Sequence, residues 1–82
     1  MEALQTHTLD TLPLGTSAWV LRVAGEDAIA DRLVDMGFWP GTKVSAVRRA
    51  LLGDPVAYRL QGYRLALRRS EAARVIVTVA GA

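Results

Sequence analysis

The chain contains no cysteine, so it has neither a disulfide framework nor a thiolate metal site. Histidine occurs once, as His7, and lysine once, as Lys43. No window approaches the ~18–20 apolar residues that a membrane-spanning helix needs. The opening stretch MEALQTHTLD carries Glu2 and no apolar run, so it does not read as a signal peptide. A cytoplasmic protein with no direct membrane insertion is the expectation. A large excess of one charge is also missing. The formal net charge is only +2 although the pI is 9.7, because nine of the ten basic residues are arginine. A chain that lives by phosphate contacts usually carries a stronger excess, so nucleic acid is permitted but not expected as a partner.

The residues that catalysis needs are equally sparse. No serine has a histidine base beside it, so nucleophilic catalysis lacks its pair. Asp31 and Asp35 lie four apart on what reads as the outer face of a helix, where solvation rather than acid–base chemistry is their role. No phosphate-cradling glycine pattern precedes a helix, and the letters GDP at 53–55 spell a turn. His7, with Glu2 and Asp10 near it in sequence, falls short of the three or four fixed ligands of a zinc or iron site. It reads as an exposed residue of a flexible tail over residues 1–8. No catalytic, cofactor or metal residues are expected, and the chain does not read as an enzyme.

What is present is punctuation and short apolar alternation. The 82 residues suit one domain, numbered 1–82, with one modest core. TLPLG (11–15) is an opening loop, and TSAWVLRV (16–23) is a strand whose consecutive Trp19, Val20 and Leu21 predict at least partial cover on both faces. In 25–37 the period changes: Ile29, Leu33 and Met36 fall at helical spacing, Glu26 and Asp27 suit the positive end of the dipole, and Gly37 suits the stop. TKVSAVRR (42–49) returns to strand character. ALLGDP (50–55) is a loop built on Gly53, Asp54 and Pro55. VAYRL (56–60) and RLALR (64–68) form a hairpin, Ser70 offers a cap for one helical turn over 70–73, and RVIVTV (74–79) is the last strand. Curling about five strands into a small partly open barrel removes most of the exposed edge. The expected fold is mainly β: a small SH3-like barrel with one inserted α-helix and a short helical turn before the last strand.

Two surfaces stand out. Arg48, Arg49, Arg59, Arg64, Arg68, Arg69 and Arg74 fall on or beside the last four strands, as outward polar positions or as a patch that tracks phosphates. The second surface is apolar: Met36, Phe38, Trp39, Leu51 and Leu52 crowd at two loops. Met36 and Phe38 read as closing the barrel end beside the helix. For Trp39 and the Leu51–Leu52 pair, core and partner surface are balanced, because aromatic anchors mark interfaces. Pro40 fixes φ and Gly41 supplies the positive φ of a type II turn, so the corner DMGFWPGTKV holds Trp39 in one orientation, with no structural task evident for it.

The ordered segments RLVDMGFWPGTKV and RRALLGDPVAYRLQGYRLALRRSEAARVIV, with TLDTLPLGTSAWVLRV ahead of them, resemble the FeoA family of small accessory proteins of bacterial ferrous iron transport. The resemblance runs from about Leu9 to Val79 and implies an SH3-like barrel, no enzymatic activity and no cofactor. It also implies a protein contact with the membrane GTPase permease FeoB on the cytoplasmic side. Partner-binding candidates are Trp39, Leu51, Leu52 and Met36; the structural turn residues are Gly37, Pro40, Gly41, Gly53, Asp54 and Pro55. One departure is Leu51, which stands where the family often has proline. The alternative reading is a small barrel that binds nucleic acid through its arginine-rich strands, and weak self-association through a free strand edge is a further open reading.

Overall fold

The computed structural model describes residues 5–79. Strand β1 (Gln5–Thr8) leads through a 3₁₀ turn at Leu9–Thr11 to β2 (Ser17–Val23), helix α1 (Ala28–Met36), β3 (Lys43–Arg49), β4 (Val56–Leu60), β5 (Tyr63–Leu67), the single turn α2 (Arg69–Ala72) and β6 (Val75–Val79). All pairings are antiparallel, in the order β1-β6-β2-β3-β4-β5. The mainly β, SH3-like expectation holds, with six strands in place of about five.

The additional strand corrects the reading of residues 1–8 as a flexible tail. From Gln5 onward this segment is β1, with His7 opposite Val77 and Thr8 opposite Ile76 on β6. Residues 1–4, including Glu2, lie outside the described residues. QTHT has no apolar alternation to announce a strand. It is held by backbone pairing to β6, a tertiary partner that the local sequence does not name.

Two β-bulges bend the sheet, one between Val20 and Arg22 in β2 and one between Ala46 and Arg48 in β3. An extra residue on one strand increases twist and curls the sheet toward closure. The expectation that both faces of β2 are at least partly covered is met unequally, because alternation along the strand turns one face to the core and leaves the other half-exposed. Val20 is buried, while Trp19 and Leu21 both face out, at 42% and 43% exposure. α2 packs on β5 and on the 3₁₀ turn, covering the seam between the ends of the curled sheet.

The core follows the alternation in β3, β4 and β6. Val44 and Ala46, then Val56, Tyr58 and Leu60, then Val75 and Val77, all point inward and are buried. Leu33 from α1 and Phe38 just beyond it close one end, both without solvent contact. The β4–β5 hairpin turns on Gln61 and Gly62, with φ of 49° and 89°. Positive φ at both central residues is what a two-residue type I′ connection demands, and its twist matches that of the flanking strands.

Candidate protein-contact site at the helix–strand corner

The corner after α1 is assembled from backbone requirements first. Gly37 stands at φ 113° and ψ 10°, a left-handed conformation that only glycine adopts at little cost. Its N–H donates to Val34 O at 3.0 Å, and the Phe38 N–H donates to Leu33 O at 3.2 Å. These two bonds make a Schellman motif, and the buried Leu33–Phe38 pair supplies its apolar contact. Trp39, Pro40, Gly41 and Thr42 then form a tight turn in which the Thr42 N–H donates to Trp39 O at 3.0 Å. Gly41 at φ 89° fits the type II geometry expected for Pro-Gly.

Trp39 does have a structural task, contrary to the sequence reading. Its indole N–H donates to Val34 O at 2.7 Å, a second donor on the carbonyl that also accepts from the Gly37 N–H, so the ring is fastened to the end of the helix. The ring is still 52% exposed. Tyr63 closes the corner from the other side: its hydroxyl donates to Met36 O. Tyr63 was not singled out from the sequence, and only its position directly after the Gln61–Gly62 turn could have pointed to it. Asp35, Met36, Gly37, Trp39, Leu60, Gln61 and Tyr63 line a groove of about 180 Å³. Met36, expected in the core, is only partly buried against it. The result is a small apolar notch rimmed by two aromatics whose polar atoms are already satisfied.

Leu51 and Leu52 are not part of this notch. They sit in the β3–β4 loop, whereas Trp39 precedes β3, so the seven residues of β3 separate them by about 20 Å of strand at roughly 3.3 Å per residue. Four residues read from the sequence as one contact surface therefore divide into two, with Met36 and Trp39 at one end and Leu51 and Leu52 at the other. The balance between core and surface also resolves, since Leu51 is 99% and Leu52 94% exposed. The loop is internally braced: the Ala50 N–H donates to Pro55 O at 2.9 Å, and the Gly53 N–H to Ala50 O at 2.8 Å. Asp54 accepts from the Arg69 N–H at 2.9 Å, which fastens the loop to the start of α2.

The arginines also divide. Arg74 is a structural residue: its guanidinium donates to Ala24 O at 3.0 Å and to the Asp27 carboxylate at 2.7 Å. Arg32 pairs with Glu71. That carboxylate also accepts from the Arg68 N–H at 2.9 Å, so Arg68, not Ser70, is the cap residue of α2. Arg59 and Arg64 face each other across β4 and β5, in line with Ser45 on β3 and Ser17 on β2. Arg48, Arg49, Arg68 and Arg69 gather at the loop end. No single strip collects all seven arginines, which weakens the nucleic-acid reading.

No group of three or more histidine, cysteine, aspartate or glutamate side chains that could hold a metal occurs among the described residues. Among them, too, no helix is long and apolar enough to cross a membrane.

The family described as the FeoA domain matches residues 7–79. Among characterised proteins, a "Fe(2+) transport protein A/Fe(2+) transporter FeoB fusion protein" of Porphyromonas gingivalis is 39% identical over 69 residues, 84% of the chain. The chain spans only 8% of that relative's length. Among solved structures, Stenotrophomonas maltophilia FeoA complexed with zinc, described as a procaryotic SH3 domain protein, is 44% identical with a TM-score of 0.77. The match covers 85% of this chain and 87% of that one. A FeoA-like protein from Clostridium acetobutylicum is 33% identical with a TM-score of 0.83, over 89% of this chain and 85% of that one.

Proposed function

The chain belongs to the FeoA family, and from that premise we propose that it is a non-enzymatic accessory protein of bacterial ferrous iron uptake. In this reading it acts in the cytoplasm by contacting the membrane GTPase permease FeoB and modulating its nucleotide hydrolysis and transport. The observation that carries the proposal is the relative in which a protein A portion and FeoB form one chain. Fusion holds two modules at high effective concentration, which suits a pair that works by contact.

The contact is assigned to the notch between Met36, Trp39 and Tyr63. It is apolar at its floor, aromatic at its rim and stiffened by two hydrogen bonds to the end of α1, so little side-chain freedom is lost on docking. Interface energy concentrates in such half-buried aromatic anchors.

Titration of the cytoplasmic part of FeoB with the wild-type chain tests this, with nucleotide hydrolysis followed in parallel. Trp39→Ala is expected to weaken binding by about tenfold or more and to lose the effect on hydrolysis. Leu52→Glu, at the far end of the barrel, is expected to bind as wild type does. Undiminished binding by a folded Trp39→Ala variant would reject the notch as the contact.

A further inference from the structure

The β3–β4 loop is unlike any other exposed segment of the barrel. Leu51 and Leu52 stand almost wholly in solvent, whereas the other exposed large apolar residues among those described reach 52% at most. The tip is presented by a braced loop: the two internal backbone bonds and the Asp54–Arg69 bond hold it in place. Nothing in the loop's own geometry calls for leucine at these two positions.

Four exposed arginines lie near the base of this loop. Arg48 and Arg49 end β3, while Arg68 and Arg69 lie at the start of α2. Strand pairing brings the two pairs together, because Arg49 is opposite Val56 and Val56 is opposite Leu67. The Arg49 stem also runs beside Gly53 in the loop. The two ion pairs among the described residues, Arg32–Glu71 and Arg74–Asp27, use none of the four. Asp54 and Asp10 offset part of their charge, and Asp54 is already engaged with the Arg69 N–H.

We propose that this end of the barrel docks on an anionic lipid surface. Leu51 and Leu52 enter the interface between headgroups and acyl chains, and the nearby arginines rest on the phosphates above it. The combination selects this occupant. Guanidinium groups recognise phosphate oxygens, but a nucleic acid offers nothing for two almost fully exposed leucines beside them. Proteins that bind single strands interleave cations with aromatics for stacking, and this loop has no aromatic residue. A bilayer presents both required chemistries in the required order, charge outside and hydrocarbon beneath. Two partly inserted leucines and four arginines suit a reversible attachment that orients the domain. The expectation of no direct membrane insertion is replaced, at this loop alone, by shallow interfacial contact. The inference rests on the loop and its charges, and stands apart from the assignment of the FeoB contact.

The test is sedimentation of the full chain with vesicles of phosphatidylglycerol and phosphatidylcholine in equal parts, against vesicles of phosphatidylcholine alone. Wild type is expected to bind the anionic vesicles, to bind less as salt rises, and to leave the neutral ones unbound. Leu51→Ser with Leu52→Ser should weaken binding about tenfold or more at an unchanged melting temperature, since neither side chain is packed in the fold. Arg48→Ala or Arg49→Ala should each cost about fivefold. The proposal fails if wild type does not sediment with anionic vesicles, or if the leucine variant sediments equally well. Binding of an oligonucleotide without vesicle binding would assign the arginines to nucleic acid. Loss of FeoB binding by the leucine variant in solution, without vesicle binding, would assign the loop to protein contact. Either outcome overturns the proposal.

Discussion

Gly37 and Trp39 carry the corner at the scale of single residues, and for different reasons. Gly37 is required by its left-handed backbone, and a Cβ there would also crowd Leu60 Cδ2 at 3.3 Å, beside the Tyr63 hydroxyl at 3.4 Å. Gly41 shares the positive φ, but a Cβ there would meet nothing within 4 Å. Gly41→Ala should therefore cost about 1 kcal/mol, the conformational penalty alone. Gly37→Ala should cost more, because the Leu60 side chain must also give way. Denaturant midpoints of the two variants measure the difference, and equal losses would mean that the contact with Leu60 carries no weight. The glycines and Pro40 are legible in the sequence because turn chemistry is local. The task of Trp39 is not, since its partner is a carbonyl five residues back whose direction depends on how α1 ends.

At the scale of elements, α1 shows how one carboxylate joins two distant parts of the chain. Asp27 caps the helix by accepting from the Ala30 N–H at 3.1 Å, and it also receives the Arg74 guanidinium from just ahead of β6. The hydrogen bond from Arg74, and after it the one from Ala30, hold its carboxyl below the ordinary value of 3.8. The native state therefore binds fewer protons here than the unfolded chain. The stabilisation is complete above the ordinary value and is lost as pH falls through the depressed one. Melting temperatures followed from about pH 5 down to about pH 2 should fall more steeply for wild type than for Asp27→Asn, which keeps an acceptor but cannot titrate. Parallel profiles would remove Asp27 as a source of acid sensitivity. The acidic start of the helix was legible from Glu26 and Asp27 before an apolar period, though not which of the two is the cap. Arg74 read only as one of seven arginines, because 47 residues of chain separate the partners.

The whole molecule is closed by contacts between its ends. Tyr58, on β4, is buried at the centre of the core and its hydroxyl reaches Leu9 O at 3.4 Å, tying the segment after β1 to the middle of the sheet. Burial, the largest cause, with the nearby Asp10 charge, pushes its ionisation up from 10.0 to about 12. Between those values the native state keeps a proton that the unfolded chain has lost, so stability falls as pH rises above about 10. In a Tyr63→Phe variant, which leaves Tyr58 the only tyrosine, phenolate absorbance should lag a free tyrosine and emerge together with unfolding. Ionisation at the ordinary value in a folded chain would contradict this burial. On the same scale, the aromatic notch and the leucine loop lie at opposite ends of β3, which leaves each free to engage a different surface.

The sequence by itself determined the helix stop at Gly37, the Pro40–Gly41 turn, the hairpin that follows the Gly53–Pro55 loop and the alternation of its two strands. Each of these depends on backbone preferences or side-chain periods confined to a few residues. Only the tertiary structure decided that Gln5–Thr8 is a strand, that Trp39 and Tyr63 brace one helix end, and that Leu51 and Leu52 stand apart from Trp39 near four arginines. Those outcomes depend on which strand edges meet and how bulges curl the sheet, and pairing across long stretches of chain leaves no mark in the local sequence.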